Sequence, residues 1–125
     1  MGMNILIVDD SSVMRKILER SLRQAVPTGI DQVIEAGDGA EALEKLENQT
    51  VEVVSSDINI PNVNGLEFLR RLKETSRKDV PVIVVTTEGG EKTVLEAISL
   101  GAKGFIRKPF TPQQMESTLT KVLPQ

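Results

Sequence analysis

The chain contains no histidine and no cysteine, so any chemistry it performs must rest on carboxylates, hydroxyls, lysine ammonium groups and hard metal ions. Asp9 and Asp10, Asp57, Thr86 and Lys108 qualify by position, because each stands where an apolar run gives way to a loop. Asp57 ends the run Val51-Glu52-Val53-Val54-Ser55-Ser56 and is followed by Ile58-Asn59-Ile60-Pro61. An acid at the carboxyl end of a buried strand lies on the edge where open parallel sheets bind ligands. Each of these acids also has a plainer explanation. An isolated Asp-x-x-x-Pro is commonly an Asx turn, and Asp9-Asp10 ahead of Ser11-Ser12 suits the capped, positive end of a helix.

The elements that must position these residues follow from periodicity. Asn4 to Val8 reads as a strand, and Met14, Ile17, Leu18 and Leu22 then fall at helical spacing until Val26-Pro27-Thr28-Gly29 closes the helix. Gln32 to Ala36 reads as a second strand, and Gly37-Asp38-Gly39 turns into a helix carrying Ala42, Leu43 and Leu46. The third strand leads to Asp57, after which Pro61, Asn62, Asn64 and Gly65 break the run. Leu66, Phe68, Leu69 and Leu72 then make an amphipathic packing helix backed by Arg70, Arg71 and Lys73. Val82 to Val85 is a fourth strand, and Val94, Leu95, Ala97, Ile98 and Leu100 mark a helix ended by Gly101. Gly104 to Arg107 is the fifth strand. Thr111-Pro112 starts a last helix with Met115, Leu119, Val122 and Leu123 on its apolar face.

Strands and helices alternate without a repeat or linker, which predicts one α/β domain over residues 1–125: a five-stranded parallel sheet wound by right-handed crossovers, with helices on both faces. Two open versions are hard to separate from sequence. Five units in this length favour the flavodoxin-like order 2-1-3-4-5, an order already known for such sheets and not a product of the spacing. In it Asp9, Asp10 and Asp57 meet at one edge, joined by Thr86 and Lys108. Three carboxylates packed together repel unless a cation neutralises them. Mg²⁺ suits best, since it keeps several waters and shares its shell with phosphate oxygens, with Mn²⁺ as a substitute. Thr86 and Lys108 would then hold the oxygens of a phosphoryl group transferring to Asp57.

Asp9-Asp10, Asp57 with Asn59 and Pro61, Thr86-Thr87-Glu88 and Lys108-Pro109-Phe110 together resemble the signature of the receiver domain of two-component response regulators, and the match spans essentially the whole chain. The stretches Asp9 to Arg15 and Glu88 to Glu91 are most similar to stand-alone chemotaxis regulators of the CheY type. The resemblance implies a phosphorylation-dependent signalling switch that catalyses only its own phosphorylation and dephosphorylation. Asp57 would take a phosphoryl group from a histidine kinase acting in trans. Asp9, Asp10, Asp57 and the backbone carbonyl of Asn59 would hold Mg²⁺. Asn59, Thr87 and Glu88 would tune hydrolysis, Thr87 being bulkier than the Ala often found there.

The resemblance also implies that Thr86 moves to the phosphoryl group and Phe105 swings inward, Phe105 standing where CheY-like proteins often carry Tyr. The output face would join the fourth helix, fifth strand and fifth helix near Lys92, Leu95, Ser99, Lys103, Phe105 and Arg107. Its target would be the flagellar motor switch, or alternatively a phosphorelay partner, with the chain serving as intermediate or phosphate sink. The Lys108-Pro109 bond is a candidate for the cis form.

Composition narrows the remaining classes. At 39% hydrophobic and 26% charged residues with a net charge of −3, the chain reads as a soluble, cytoplasmic, monomeric domain and not as a nucleic-acid or membrane-surface binder. Its three aromatics are all Phe, poor material for a flavin sandwich, and two acids stand where a flavin carrier would need a phosphate loop. An aspartyl phosphatase would want Asp-x-Asp after the first strand, whereas here the acids are adjacent. A receiver used purely as an interaction module would not need all five site positions filled.

Overall fold

The computed structural model describes residues 2–87 and 90–122. Within them the order is β1 (Met3–Val8), α1 (Ser12–Ala25), β2 (Ile30–Ala36), α2 (Gly39–Asn48), β3 (Val53–Ser56), α3 (Gly65–Leu72), β4 (Val82–Thr86), α4 (Glu91–Ser99), β5 (Gly104–Arg107) and α5 (Pro112–Val122). The expected positions Glu88, Gly89 and Leu123 lie outside the described residues.

The strands form one parallel sheet in the order β2-β1-β3-β4-β5. Its interior reads as near-continuous apolar sequence because successive side chains enter opposite layers. Leu6, Val8, Val54, Val82 and Val84 face a core with α2, α3 and α4, built around Phe68, Leu69, Leu72, Leu46 and Ala97. Ile5, Ile7, Val53, Ile83, Val85 and Ile106 face a second core with Leu18 and Leu22 of α1 and Met115 and Leu119 of α5. Burying each such Leu, Ile or Phe contributes about 1.5–3 kcal/mol. No helix of the described residues is long and apolar enough to cross a membrane.

Local chemistry sets the helix starts. Ser11 accepts from the Met14 N–H, Asp38 from Glu41, Asn64 from Glu67 and Thr111 from Gln114, so an oxygen caps each of α1, α2, α3 and α5. Gly101, at φ +107°, takes the left-handed turn that ends α4 and is favourable for glycine.

Several expectations need correction. Ile17, expected on the packed face of α1, is 47% exposed, and Ile98 of α4 is 54% exposed, whereas Leu95, expected on the output face, is 60% exposed. The reason is geometric: α4 spans nine residues and fully buries only Ala97, so its packed stripe is one residue wide. The third strand enters the ladder at Val53 and not Val51, which is buried but unpaired, and β4 runs on through Thr86.

Candidate functional site

Because β1 and β3 are neighbours at the point where strand order reverses, the residues following them share one edge. The Asp57 N–H donates to the Val8 carbonyl (3.0 Å) and the Asp9 N–H to the Ala36 carbonyl (3.1 Å), extending the ladder past both strand ends. From the far side of the sheet, Lys108 follows β5 and its N–H donates to the Thr86 carbonyl at 3.0 Å. The Lys108-Pro109 bond is cis, as its sequence suggested.

Lys108 Nζ ends between the two acids, 3.0 Å from Asp9 Oδ2 and 2.9 Å from Asp57 Oδ2. All three side chains are nearly covered: Asp9 is 3% exposed, Asp57 and Lys108 11% each. Burial alone would pull the Lys108 pKa down. The hydrogen bonds and charges of Asp57 and Asp9 outweigh it and hold the ammonium above its ordinary range.

Each acid divides its two oxygens. Asp9 Oδ1 accepts the Ser11 N–H at 3.0 Å and Asp57 Oδ1 accepts the Asn59 N–H at 3.1 Å. The Asx-turn explanation therefore holds for one oxygen of Asp57; Asp9, expected at the capped end of α1, instead turns one oxygen onto the N–H of Ser11, which is itself the cap, and the other oxygen of each carboxylate converges on Lys108.

Asp10 does not join them. It is exposed, and among the described residues no group of three acids is placed to hold a metal ion. Between Asp9 and Asp57 the chain supplies a cation of its own, Lys108. The donor chemistry still suits Mg²⁺. That ion needs one or two carboxylates plus phosphate oxygens and water, and two carboxylates converge here with Asp10 adjacent in sequence.

Thr86 is wholly buried at the end of β4. Thr87 is exposed and shares an apolar hollow of about 390 Å³ with Met14, Ile17, Ser21, Lys108, Pro109 and Phe110. On the opposite flank of β5, Lys92, Leu95, Ser99, Lys103 and Arg107 are exposed and Phe105 is half-buried. Phe105, Lys103 and Ile98 line a depression of about 280 Å³ against Thr118 and Lys121 of α5. Ile98 was missed for this face because its spacing read as core.

Two further residues support the edge. A methyl group on Gly65 would stand 2.6 Å from Ile58 Cα and overlap the Asp57 carbonyl oxygen, so only glycine lets α3 start this close behind Asp57. In the sequence it looked like a simple strand breaker. Arg15 Nη1 donates to the Asp9 carbonyl at 2.6 Å. Its sequence signal was slight, one of several basic residues along α1 and directly followed by Lys16.

A family model for the response regulator receiver domain matches residues 5–120. The chain belongs to the response regulator receiver family. This receiver is 42% identical to the chemotaxis protein CheY1 of Helicobacter pylori over 97% of both chains. It is 43% identical to a chemotaxis protein CheY homologue of Campylobacter jejuni, over 97% of this chain and 92% of that protein. Among solved structures, the chemotaxis response regulator CheY4 of Vibrio cholerae superposes with a TM-score of 0.86 at 35% identity, covering 98% of this receiver and all of that chain. The receiver is thus CheY-like, and its family membership supports a phosphorylation-dependent signalling switch.

Proposed function

We propose that Asp57 is the phosphoryl acceptor of this receiver and that a histidine kinase, acting in trans because the chain has no histidine, is the donor. The observation that carries this is the Lys108 ammonium shared between Asp57 and Asp9. An Asp57 oxygen forms the new bond to phosphorus, the phosphorus–nitrogen bond of the phosphohistidine breaks, and the imidazole leaves with that electron pair. The Lys108 charge lies where the phosphoryl oxygens arrive, with the Thr86 hydroxyl as their second contact. Asp9, Asp10, Asp57 and the Asn59 carbonyl would hold Mg²⁺, which when bound neutralises charge on the phosphoryl oxygens. Asn59, Thr87 and Glu88 tune the lifetime of the acyl phosphate.

Phosphorylation changes the contacts of Thr86, and the half-buried Phe105 responds, biasing the packing of α4, β5 and α5. The target face carries Lys92, Leu95, Ser99, Lys103, Phe105 and Arg107. The protein that reads this face is the flagellar motor switch, a reading in keeping with relatives named as chemotaxis proteins. The protein acts as a cytoplasmic monomer whose catalysis is limited to its own phosphorylation and dephosphorylation.

Intact mass after incubation with acetyl phosphate and Mg²⁺ tests the acceptor. Gain of one phosphoryl group is expected in the unaltered protein and absent from Asp57→Asn and from a chelated sample. No gain in folded, metal-replete protein would remove the support for Asp57.

A further inference from the structure

The Asp9 peptide is pinned on both sides. Its N–H closes the last bond to β2, at the Ala36 carbonyl. Its carbonyl, beyond the ladder, accepts from Arg15 Nη1 at 2.6 Å. The same guanidinium donates through Nε to Glu35 Oε1 at 2.8 Å, and the other oxygen of Glu35 is taken by Lys16 at 2.9 Å. Arg15 and Glu35 are 19% and 28% exposed, whereas Lys16 is 69% exposed and extends into solvent. A guanidinium is a rigid planar fork and can serve two acceptors at once in fixed directions, which an ammonium on a flexible stem does less well.

The Asp9 carbonyl belongs to the planar peptide unit that joins Asp9 to Asp10. Whatever fixes that oxygen also fixes the direction in which Asp10 leaves the strand, and keeps Asp9 aimed at Lys108. We infer that Arg15, oriented by Glu35, is a positioning residue that holds the Asp9–Asp10 peptide in the orientation phosphoryl transfer requires. This rests on the reading of Asp57 as acceptor. It places the second strand and first helix, neither of which supplies a reacting group, in control of the acid edge.

The test compares Arg15→Ala, Arg15→Lys, Glu35→Gln and Lys16→Met with the unaltered protein. Three quantities are read: exchange of the Ser11 amide hydrogen without metal, affinity for Mg²⁺ alone, and the rate constant for phosphoryl uptake from acetyl phosphate. Arg15→Ala should weaken Mg²⁺ binding about 10- to 100-fold, the range typical of groups that orient ligands, and hasten exchange of the Ser11 N–H that rests on Asp9. Arg15→Lys and Glu35→Gln should fall between, and Lys16→Met, which loses a Glu35 contact but none to Asp9, should match the unaltered protein. Unchanged exchange and Mg²⁺ affinity in Arg15→Ala would overturn the inference while leaving the acceptor intact. Equal losses in Lys16→Met would overturn it too, by showing a general loosening of α1. If the unaltered protein gains no phosphoryl group, the acceptor reading fails and the inference with it.

Discussion

Replacing Lys108 by Met keeps most of the apolar stem and removes the charge, leaving Asp9 and Asp57 facing each other. Both Oδ2 atoms lie within 3.0 Å of one nitrogen, so they are no more than about 6 Å apart. At that distance and an effective dielectric of about 20, two full charges repel by about 3 kcal/mol. Breaking a covered ion pair by removing one partner costs about 3–5 kcal/mol, so repulsion accounts for most of the loss expected. The chain has no Trp or Tyr, and urea unfolding at pH 7 with a chelator is best followed by far-ultraviolet circular dichroism.

The decisive arm is Asp9→Asn in both backgrounds. In the unaltered protein it removes a partner of Lys108 and should destabilise. In Lys108→Met it removes the repulsion and should stabilise by about 3 kcal/mol. A loss in both backgrounds would refute the claim that the ammonium is what allows the acids to sit together. Alkaline unfolding gives a second check with a defined sign. The Lys108 pKa is raised above its ordinary 10.5 in the folded protein, so its contribution is complete below 10.5 and is lost as pH climbs through the folded value. The advantage of the unaltered protein over Lys108→Met should therefore shrink only above about pH 10.5.

Two other substitutions probe the edge and the sheet beneath it. Gly65→Ala forces a methyl group against the Asp57 carbonyl; it should cost about 1–3 kcal/mol in urea unfolding and, by displacing Asp57, slow phosphoryl uptake by up to about 100-fold, so an unaltered rate would show that Asp57 is positioned by other means. Ser55 lies buried in β3 beside Ile7 and Ile83, and its hydroxyl has no hydrogen-bond partner among the described residues. Ser55→Ala should therefore raise the urea midpoint, by about 1 kcal/mol in stability; a clear loss would mean that the hydroxyl is satisfied in solution.

The alternation of strands and helices was readable because the two periods are strong in this chain. β4 is a solid block of β-branched residues, β1 contains the aliphatic run Ile5 to Val8, β3 opens with Val53 and Val54, and α3 places Phe68, Leu69 and Leu72 on one stripe. Periodicity failed where burial depends on what lies opposite. Ile17 and Ile98 occupy correct helical positions but are 47% and 54% exposed. A helix can continue its apolar pattern beyond the face it packs, and sequence alone carries no mark of where that face ends.

At the site, sequence placed Asp9, Asp57, Thr86 and Lys108 correctly at one edge, because an acid, a hydroxyl and a lysine directly after buried strands are positioned by topology. It could not show how their contacts divide. Each carboxylate uses one oxygen for its own turn and one for the shared ammonium, so capping and chemistry are two halves of one group and not rival explanations. The same division accounts for Asp10. A carboxylate adjacent to Asp9 cannot reach the same ammonium while Asp9's carbonyl is held by Arg15 and its side chain turns onto Ser11, so Asp10 is left facing solvent. If Asp57 is the acceptor as proposed, an incoming phosphoryl group would meet two acids already neutralised in part by Lys108 and an exposed third acid, Asp10. That arrangement lets the edge remain folded before the charge arrives.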